Sequence, residues 1–499
     1  MNKQRDFVLV YINGKRREIR GQQAFLTLSD YLRLELQLRG TKVVCAEGDC
    51  GACTVLSGPV TADMKSTDVD YQAINACIVL MHSLDCSQLI SIEGLNQIYP
   101  ERLHPVQKSM LDCHGSQCGF CTPGIVMAVA GMLEVPAKLT EKNARNYLTG
   151  NLCRCTGYQQ IIDAVVNTDI SDYKAAKTHF HSDSIHAELV TAAQTPVSVH
   201  YKDNSFIAAT DISATLDCLQ SQQENTDVPQ IFAAATDLGV QISKGHLARQ
   251  NALSLHLLPA LYEFKITPEH CSIGARVTLT QLRSRIKQQQ AEFSDFLNIF
   301  ASPQIKNNAT LVGNIANGSP IGDTLPFLMV MDAIIVIQGS QGIRRCNINK
   351  LYSGYRQLEL AASEIITHVE IPHKADGAEL KLYKVSQRRD LDISCVSAAF
   401  KVQFDQHNIL IDAAIAYGGV AATVLRLTAV ETMLKGLHRD EFSSPEKCQE
   451  IAASIGSSLN PLSDVRGSDN FRNTLIENLY KKFIHEQKAE QIAGVCDEN

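Results

Sequence analysis

The stretch CAEGDCGAC, residues 45–53, spaces three cysteines by four residues and then by two. Plant-type ferredoxins use this spacing to wrap thiolates around a 2Fe-2S cluster. Gly48 and Gly51 suit such a loop, because glycine permits close approach of backbone amides and positive backbone angles. A zinc site or buried free thiols are the alternatives, but tetrahedral zinc usually uses paired CxxC or Cys/His knuckles. The expected ligands are Cys45, Cys50, Cys53 and, in NACIVLMH, Cys77.

A second group of four cysteines follows in QCGFCTPG and GNLCRCTGY. From spacing alone, a CxxC with a later CxC is compatible with zinc, iron or a redox disulfide. Residues 124–134 and 140–148 are expected to be helical, the latter with Thr140 as N-cap, which would place the two cysteine pairs at helix ends. The members of this group are Cys118, Cys121, Cys153 and Cys155.

The composition limits the classes of function that the chain can have. Its 499 residues suffice for three or four domains, and a net charge of -7 recommends neither a nucleic-acid partner nor an anionic membrane. No apolar run reaches the roughly 18 residues of a membrane span, and the first residues lack the apolar core of a signal peptide. We therefore expect a cytoplasmic protein, in which 16 cysteines indicate metal ligation rather than a disulfide scaffold.

The order of local patterns indicates how the chain is organised. Alternating apolar residues around Asn13-Gly14 predict a β-hairpin, and Thr27 is expected to cap a helix that Gly40 ends. The polar segment after about residue 168 reads as an interdomain linker. Beyond it, β-rich and helical segments alternate as far as Pro372, and a further α/β unit begins at His373.

Two later segments have the composition of a nucleotide-binding loop. The first, VPQIFAAATDLGVQI, reads as an apolar strand that breaks at Thr236, Asp237 and Gly239 before continuing. The second, GNIANGSPIGD at residues 313–323, concentrates turn residues whose backbone amides can converge on a pyrophosphate. Taken alone, ordinary turns are the better explanation of both segments, and no GxGxxG opens a βαβ unit to support a Rossmann site.

Taken together, CAEGDCGACTV, QCGFCTPG and GNLCRCTGY resemble the iron-sulfur region of the xanthine dehydrogenase and aldehyde oxidase family. GNIANGSPIGD and AAATDLG are similar to flavin-binding loops of that family, and YSGYR, KVSQRRDLDIS and AYGGV follow in the family's order. The resemblance runs from about residue 6 to residue 480. Val44, Ala46 and the run 233–235 depart from it, because relatives commonly have glycine in these stretches. A methyl group at the closest approach to phosphate would weaken binding.

The resemblance implies a multidomain α+β chain. A β-grasp 2Fe-2S ferredoxin domain would span 1–92 and a four-helix 2Fe-2S domain 93–168. A linker over 169–194 would lead to a two-part α+β FAD-binding domain of the vanillyl-alcohol-oxidase-like type over 195–372. The last domain, a C-terminal α/β flavoprotein domain, would span 373–499.

The resemblance also implies the cofactors, namely two 2Fe-2S clusters held by the eight cysteines, and FAD. Gln117 and Cys155 are expected close to a molybdopterin that a partner holds. From the residues alone, Phe300 also reads as a core aromatic, Asp323 as a helix cap and Gln117 as a surface amide. The residues expected to bind FAD are Ala234, Ala235, Thr236, Asp237, Leu238, Phe300, Thr310, Gly313, Asn314, Asp323 and Ile393.

The implied function is that of an iron-sulfur and FAD subunit in a dehydrogenase of this family. Electrons from xanthine or hypoxanthine oxidation at a large molybdopterin-binding subunit would pass through the clusters and FAD to NAD, in an α2β2 assembly. No side chain of this chain need act as acid or base. Three alternatives stay open: the equivalent subunit for an aldehyde or N-heterocycle, a stand-alone NADH-dependent iron-sulfur flavoprotein, and a zinc-stabilised interaction module.

Overall fold

A five-stranded mixed sheet begins the chain in the computed structural model, which describes residues 4–60, 69–135, 137–223, 229–247, 250–388 and 390–497. The strand order is β2-β1-β5-β3-β4, and β1 and β5 are parallel. Asn13 and Gly14 both take positive φ between β1 and β2, which confirms the predicted hairpin. The strands are β1 (Val8–Ile12), β2 (Lys15–Ile19), β3 (Thr54–Pro59), β4 (Gln72–Asn75) and β5 (Ser87–Ile90).

A short helical segment packs against this sheet. It begins as α1 (Leu28–Asp30) and continues as a π-helix over Tyr31–Glu35. The Thr27 hydroxyl accepts a hydrogen bond from the Asp30 amide at 3.1 Å, so the predicted N-cap is confirmed. The predicted end at Gly40 is wrong, because Gln37 already takes the left-handed φ of 58° that terminates a helix.

Helices alone make up the next part of the chain, and α3, α4, α5 and α6 pack around one apolar core. Thr140 accepts a hydrogen bond from the Asn143 amide, which confirms the predicted cap. The helices are α2 (Ile92–Ile98), α3 (Pro105–Asp112), α4 (Thr122–Leu133), α5 (Glu141–Tyr147) and α6 (Gln159–Val166).

The segment predicted as a linker, 169–194, contains two helices. They are α7 (Ala176–Phe180) and α8 (Asp183–Ala193), and Phe180 and Leu189 are buried against the first two parts of the chain. The weak apolar periodicity of this segment did not reveal them, because only a few side chains of each helix enter the core.

A four-stranded sheet follows, with the order β6-β7-β9-β8 and two helices. The expectation that the strand before Thr236 continues beyond it is wrong, since the strand ends at Phe232 and a helix begins at Thr236. The elements are β6 (Val197–Tyr201), β7 (Asn204–Ala208), α9 (Ile212–Gln223), β8 (Gln230–Phe232), α10 (Thr236–Ser243) and β9 (Asn251–Ser254).

A second sheet, with the order β10-β11-β16-β12-β13, packs with five helices around the largest apolar core. Its strands are β10 (Phe264–Ile266), β11 (His270–Gly274), β12 (Ile334–Gly339), β13 (Gly342–Asn347) and β16 (Ile365–Pro372), and β14 (Tyr352–Gly354) and β15 (Gln357–Leu358) form a separate ribbon. The helices are α11 (Leu279–Ile286), α12 (Ala291–Phe296), α13 (Pro303–Lys306), α14 (Leu311–Asn317) and α15 (Leu325–Val330).

The last part of the chain is an antiparallel sheet with helices after it, an α+β arrangement. Its core centres on Phe400, which stacks on Phe483 at 5.0 Å between ring centroids. Among the described residues, no helix is both long and apolar enough to span a bilayer. The elements are β17 (Glu379–Val385), β18 (Val396–Phe404), β19 (Leu410–Gly418), β20 (Leu425–Arg426), α16 (Thr428–Leu434), α17 (Arg439–Phe442), α18 (Pro445–Ser457) and α19 (Asp469–Asp497).

Candidate cofactor sites

The first group of cysteines converges in the loop before β3 and after β4. Hydrogen bonds from the thiols of Cys50 and Cys77 lower the pKa of Cys45, and bonds to Cys45 and Cys53 raise the pKa of Cys77. The Cys50 amide also donates to Cys45 Sγ at 3.4 Å. All four thiols therefore face one another, as four ligands of one cluster must.

The residues of this loop fit a 2Fe-2S cluster. Such a cluster needs four thiolates, which are shared in pairs between two irons. Gly48 and Gly51 take the predicted positive φ of 77° and 65° in the same loop. The residues present therefore fit a plant-type cluster.

The second group of cysteines lies at the edge of the helical part, with Cys118 and Cys155 exposed, Cys121 half-buried and Cys153 buried. The thiols of Cys118 and Cys155 hydrogen-bond to each other, which raises the pKa of Cys155. Burial raises the pKa of Cys121 to about 12, and a hydrogen bond with Cys153 adds to that rise. Cys121 is the N-cap residue of α4, so the helix-end prediction is confirmed for the pair Cys118 and Cys121. It is wrong for Cys153 and Cys155, which lie in the loop between α5 and α6.

The two cysteine groups are in direct contact through the backbone. The amide of Leu152, next to Cys153, donates to the carbonyl oxygen of Cys50 at 3.0 Å. Asn151 Nδ2 donates to the Gly51 carbonyl oxygen at 3.0 Å, and a Cβ added to Gly51 would lie 2.1 Å from the Gly150 oxygen. A glycine is therefore required here by close packing as well as by φ.

A cavity of about 420 Å³ lies between the two sheets of the middle part. Its walls contain nine of the eleven residues predicted to bind FAD, together with Arg356 and Gln241. Those nine are Ala234, Ala235, Thr236, Asp237, Leu238, Phe300, Thr310, Gly313 and Asn314.

One wall of this cavity is the N-terminus of α10. Its N-cap residue is Ala235, and an alanine side chain cannot accept a hydrogen bond from the first amides of the helix. Those amides belong to Thr236 and Asp237, which line the cavity. Unsatisfied amides at the positive end of a helix fit a pyrophosphate.

A second cavity, of about 800 Å³, adjoins the first and shares Thr236, Asp237, Ile305 and Asn314 with it. Ile393 lines this cavity, as do Gly48 and Asp49 from the first cysteine loop. The two cavities together offer one long site that ends beside the first cysteine group. An extended dinucleotide such as FAD fits that shape.

Asp323 and Gln117 are placed differently from the other predicted residues. Asp323 is buried outside the walls of both cavities and pairs with Lys384 Nζ at 2.7 Å. Lys384 also donates to the Asp392 carbonyl oxygen at 2.8 Å, so this pair supports the loop that presents Ile393. Gln117 is exposed immediately before Cys118.

Two of the alanines that stand in place of the family's glycines are conformationally unusual. Ala46 has φ 55° and Ala235 has φ 58°, both in the left-handed region that glycine favours. Ala46 lies in the first cysteine loop and Ala235 lies at the cavity. The positive φ at each position explains why glycine was expected at both. Val44 and Ala234 do not take positive φ.

Three basic residues near these sites were missed by sequence reasoning. Arg356 lines the first cavity, although the motif YSGYR that contains it was recognised. Lys244 and Arg388 form ion pairs with Glu47 at 3.0 Å and Asp49 at 3.4 Å in the first cysteine loop. No local pattern reports such long-range pairs.

Two groups of four thiols, the first of them beside a cavity that fits a dinucleotide, are typical of an iron-sulfur flavoprotein. Four family models match the chain in order: 2Fe-2S iron-sulfur cluster binding domain over 10–82, 2Fe-2S binding domain over 91–166, FAD binding domain in molybdopterin dehydrogenase over 201–374, and CO dehydrogenase flavoprotein C-terminal domain over 381–487. The chain belongs to the xanthine dehydrogenase and molybdenum hydroxylase family, as its iron-sulfur and FAD part. Its cofactors are two 2Fe-2S clusters and FAD.

Similar proteins include xanthine dehydrogenase 1 of Arabidopsis thaliana, 30% identical over 95% of this chain and 39% of that protein. Xanthine dehydrogenase/oxidase of Rattus norvegicus is 27% identical over 96% of this chain and 39% of that protein. The chain thus spans about two fifths of the length of these relatives.

Among solved structures, carbon monoxide dehydrogenase from Hydrogenophaga pseudoflava matches 56% of this chain and 94% of its own, with 20% identity and a TM-score of 0.51. Quinoline 2-oxidoreductase from Pseudomonas putida 86 has the same coverage and TM-score, with 21% identity. Both likenesses support the multidomain α+β fold.

Proposed function

We propose that this chain transfers electrons from xanthine or hypoxanthine oxidation at a molybdopterin-binding partner, by way of its two clusters and FAD, to NAD. The observation that supports this most directly is the unbroken contact between the three sites. The Leu152 amide joins the second cysteine group to Cys50 at 3.0 Å. The first cysteine loop in turn forms a wall of the second cavity.

The three proposed cofactor sites differ in the electrons that they exchange and in their exposure. Bound clusters pass single electrons, whereas FAD exchanges either single electrons or a hydride. Cys53 and Cys77 are each only 2% exposed, whereas Cys45 and Cys50 are half-buried, so the first site is buried on one side only. Cys118, Cys155 and Gln117 are exposed, which makes this the face expected to meet the partner's molybdopterin.

The names of the similar proteins support xanthine as the substrate of the partner. NAD as the acceptor, an α2β2 assembly and a cytoplasmic location belong to the same proposal. A second candidate is the equivalent subunit for an aldehyde or N-heterocycle, since the solved structures with this fold include a quinoline 2-oxidoreductase.

The test is a Cys153→Ala variant of the complex with its partner, mixed anaerobically with xanthine or with NADH. We expect xanthine to lose its ability to reduce FAD, while NADH still reduces FAD. Cys113→Ala is the matched control, because Cys113 is half-buried and lies outside both groups. In this variant both xanthine and NADH should reduce FAD as they do in the parent. Reduction of FAD by xanthine at the parent rate in Cys153→Ala would contradict the proposed route.

The metal and flavin content of the anaerobically purified chain separates the remaining alternatives. About four iron atoms and one FAD per chain are expected. Zinc without flavin would support the interaction module instead. Full NADH-dependent electron transfer to a soluble acceptor by a stable monomer that binds no molybdenum subunit would support the stand-alone flavoprotein.

A further inference from the structure

Helix α10 connects the flavin cavity with the first cysteine loop. Its N-terminal residues line the cavity, and its C-cap residue, Lys244, reaches the loop at the other end. Lys244 Nζ donates to the carbonyl oxygen of Cys45 at 2.7 Å and pairs with Glu47 Oε2 at 3.0 Å. A cation is therefore held against the backbone of a proposed cluster ligand.

The helix that carries Lys244 packs closely on the first cysteine loop. Gly239, in the middle of α10, lies so close to Ile78 that an added Cβ would stand 1.8 Å from the Ile78 oxygen. Ile78 follows the ligand Cys77, so the helix is seated on the cluster loop at two places. The Lys244 side chain is 35% exposed and that of Glu47 is 45% exposed, so the ion pair itself lies at the surface. The direct hydrogen bond to the Cys45 carbonyl oxygen is what holds the cation against the cluster loop.

The charges in this loop have a direct electrostatic consequence. Reduction of a 2Fe-2S cluster adds one negative charge, and cluster potentials respond to nearby charge. Glu47 places a negative charge two residues from Cys45, and Lys244 neutralises it. Without Lys244 the carboxylate would oppose reduction of the cluster.

We propose that Lys244 raises the reduction potential of the cluster bound by Cys45, Cys50, Cys53 and Cys77, and so sets that cluster as an electron acceptor. The inference rests on the proposed cluster ligands. Lys244 is a positioning residue in this role, because it acts on the cluster through charge and through the Cys45 backbone.

The test is a redox titration of the anaerobically purified full chain, followed by electron paramagnetic resonance, for the parent and for Lys244→Met. At a fixed potential the reduced-to-oxidised ratio of the first cluster should fall about tenfold in Lys244→Met, which equals about 59 mV for a one-electron couple. The second cluster should be unchanged. Lys244→Arg keeps the charge and should titrate close to the parent.

Lys287→Met is the matched control, because Lys287 is the exposed C-cap residue of α11, another helix of eight residues. It should titrate as the parent does. Glu47→Gln is a second test that leaves Lys244 in place, and it should raise the potential of the first cluster by removing the opposing charge. Adding Glu47→Gln to Lys244→Met should restore most of the lost potential.

An unshifted first cluster in Lys244→Met and Glu47→Gln, with iron content intact, would overturn the inference and leave the proposed function standing. Equal shifts of both clusters would also overturn it, because a local charge acts mainly on the nearer cluster. A parent chain without cluster signals would instead overturn the proposed cofactors themselves.

Discussion

Gly239 and Ile78 are in backbone contact, since a Cβ built on Gly239 would lie 1.8 Å from the Ile78 carbonyl oxygen. The neighbouring atom belongs to the backbone, which cannot rotate away as a side chain can. Gly239→Ala should therefore lower the free energy of unfolding by about 1–3 kcal/mol or displace α10. Chemical denaturation of the holo chain, with measurement of bound FAD, reports both effects.

The control for this substitution lies on the same helix. Ser243→Ala adds an alanine to α10 without the clash, and alanine has the higher helix propensity. It should leave stability and FAD content equal to the parent's or slightly higher. If Gly239→Ala matched Ser243→Ala in both measurements, the contact between α10 and the cluster loop would be looser than the structure shows.

Ala235 takes a left-handed φ of 58° at the start of α10, a conformation that costs an L-residue about 1–2 kcal/mol. Ala235→Gly should remove that cost, and the added entropy of the unfolded chain offsets part of the gain. We expect unfolding free energy to rise by roughly 0.5–1 kcal/mol and FAD to bind more tightly. Thermal unfolding and a fluorescence titration of the apoprotein with FAD measure the two quantities.

Ala234→Gly is the paired control, because Ala234 lines the same cavity without a positive φ. At position 234 a glycine relieves no strain and only increases the conformational entropy lost on folding. The free energy of unfolding should therefore fall by about 0.5–1 kcal/mol. Equal responses of the two alanines would show that backbone strain at Ala235 does not contribute to stability.

Local signals in the sequence predicted those parts of the fold that depend on neighbouring residues. The Asn13-Gly14 hairpin and the caps at Thr27 and Thr140 each need only a few adjacent residues, and all are confirmed. Helix α10 was missed because AAATDLG lacks a helical repeat of apolar residues. Its N-cap residue, Ala235, is also not a residue type that signals the start of a helix.

Long-range contacts explain what the sequence could not reveal about the sites. Lys244 is 199 positions from Cys45, and Arg388 is 339 positions from Asp49. Their roles depend on how separately folded parts pack, and no spacing rule encodes that. By contrast, the cysteines of each group and the residues of the first cavity belong to short motifs. Spacing predicted the convergence of the first cysteine group, and resemblance predicted that of the second group and of the cavity residues.

Asp85 joins the first part of the chain to the middle part. Its buried carboxylate accepts hydrogen bonds from Arg5 Nη1 and Nη2 at 2.8 and 2.7 Å, and lies 3.1 Å from His256 Nε2. Burial opposes its ionisation, but the bonds from Arg5 and His256 lower the pKa of Asp85 overall. Asp85→Asn leaves Arg5 without its counter-charge, and we expect a loss of about 3–5 kcal/mol in unfolding free energy.

The pH dependence of this contribution follows from the lowered pKa. The unfolded carboxyl titrates near 3.9, so the Asp85 contribution is complete above that value and is lost as the pH falls further towards the folded pKa. Asp112→Asn, which breaks an exposed ion pair with Lys108, is the control and should cost less than about 1 kcal/mol. Denaturant midpoints at pH 7 distinguish Asp85→Asn from Asp112→Asn. Similar losses of stability in both variants would contradict the stabilising role of Asp85.

His82 is fully buried and stacks on Phe206 at 4.6 Å between ring centroids. Burial lowers its pKa to about 3, while its hydrogen bond with Gln250 partly opposes that shift. Because the unfolded histidine titrates near 6.5, the unfolded chain binds the extra proton between pH 6.5 and about 3. The His82 contribution is therefore complete above pH 6.5 and declines as the pH falls.

His82→Phe keeps an aromatic ring against Phe206 and removes the titrating group. Between pH 7 and pH 5 the parent should lose about 2 kcal/mol more unfolding free energy than this variant, because its unfolded state takes up one proton that its folded state does not. His407→Phe changes an exposed histidine and should retain the parent's slope. Denaturant unfolding of the holo chain across this range measures the slopes, and parallel curves for His82→Phe and the parent would mean that His82 takes up its proton in the folded state as well.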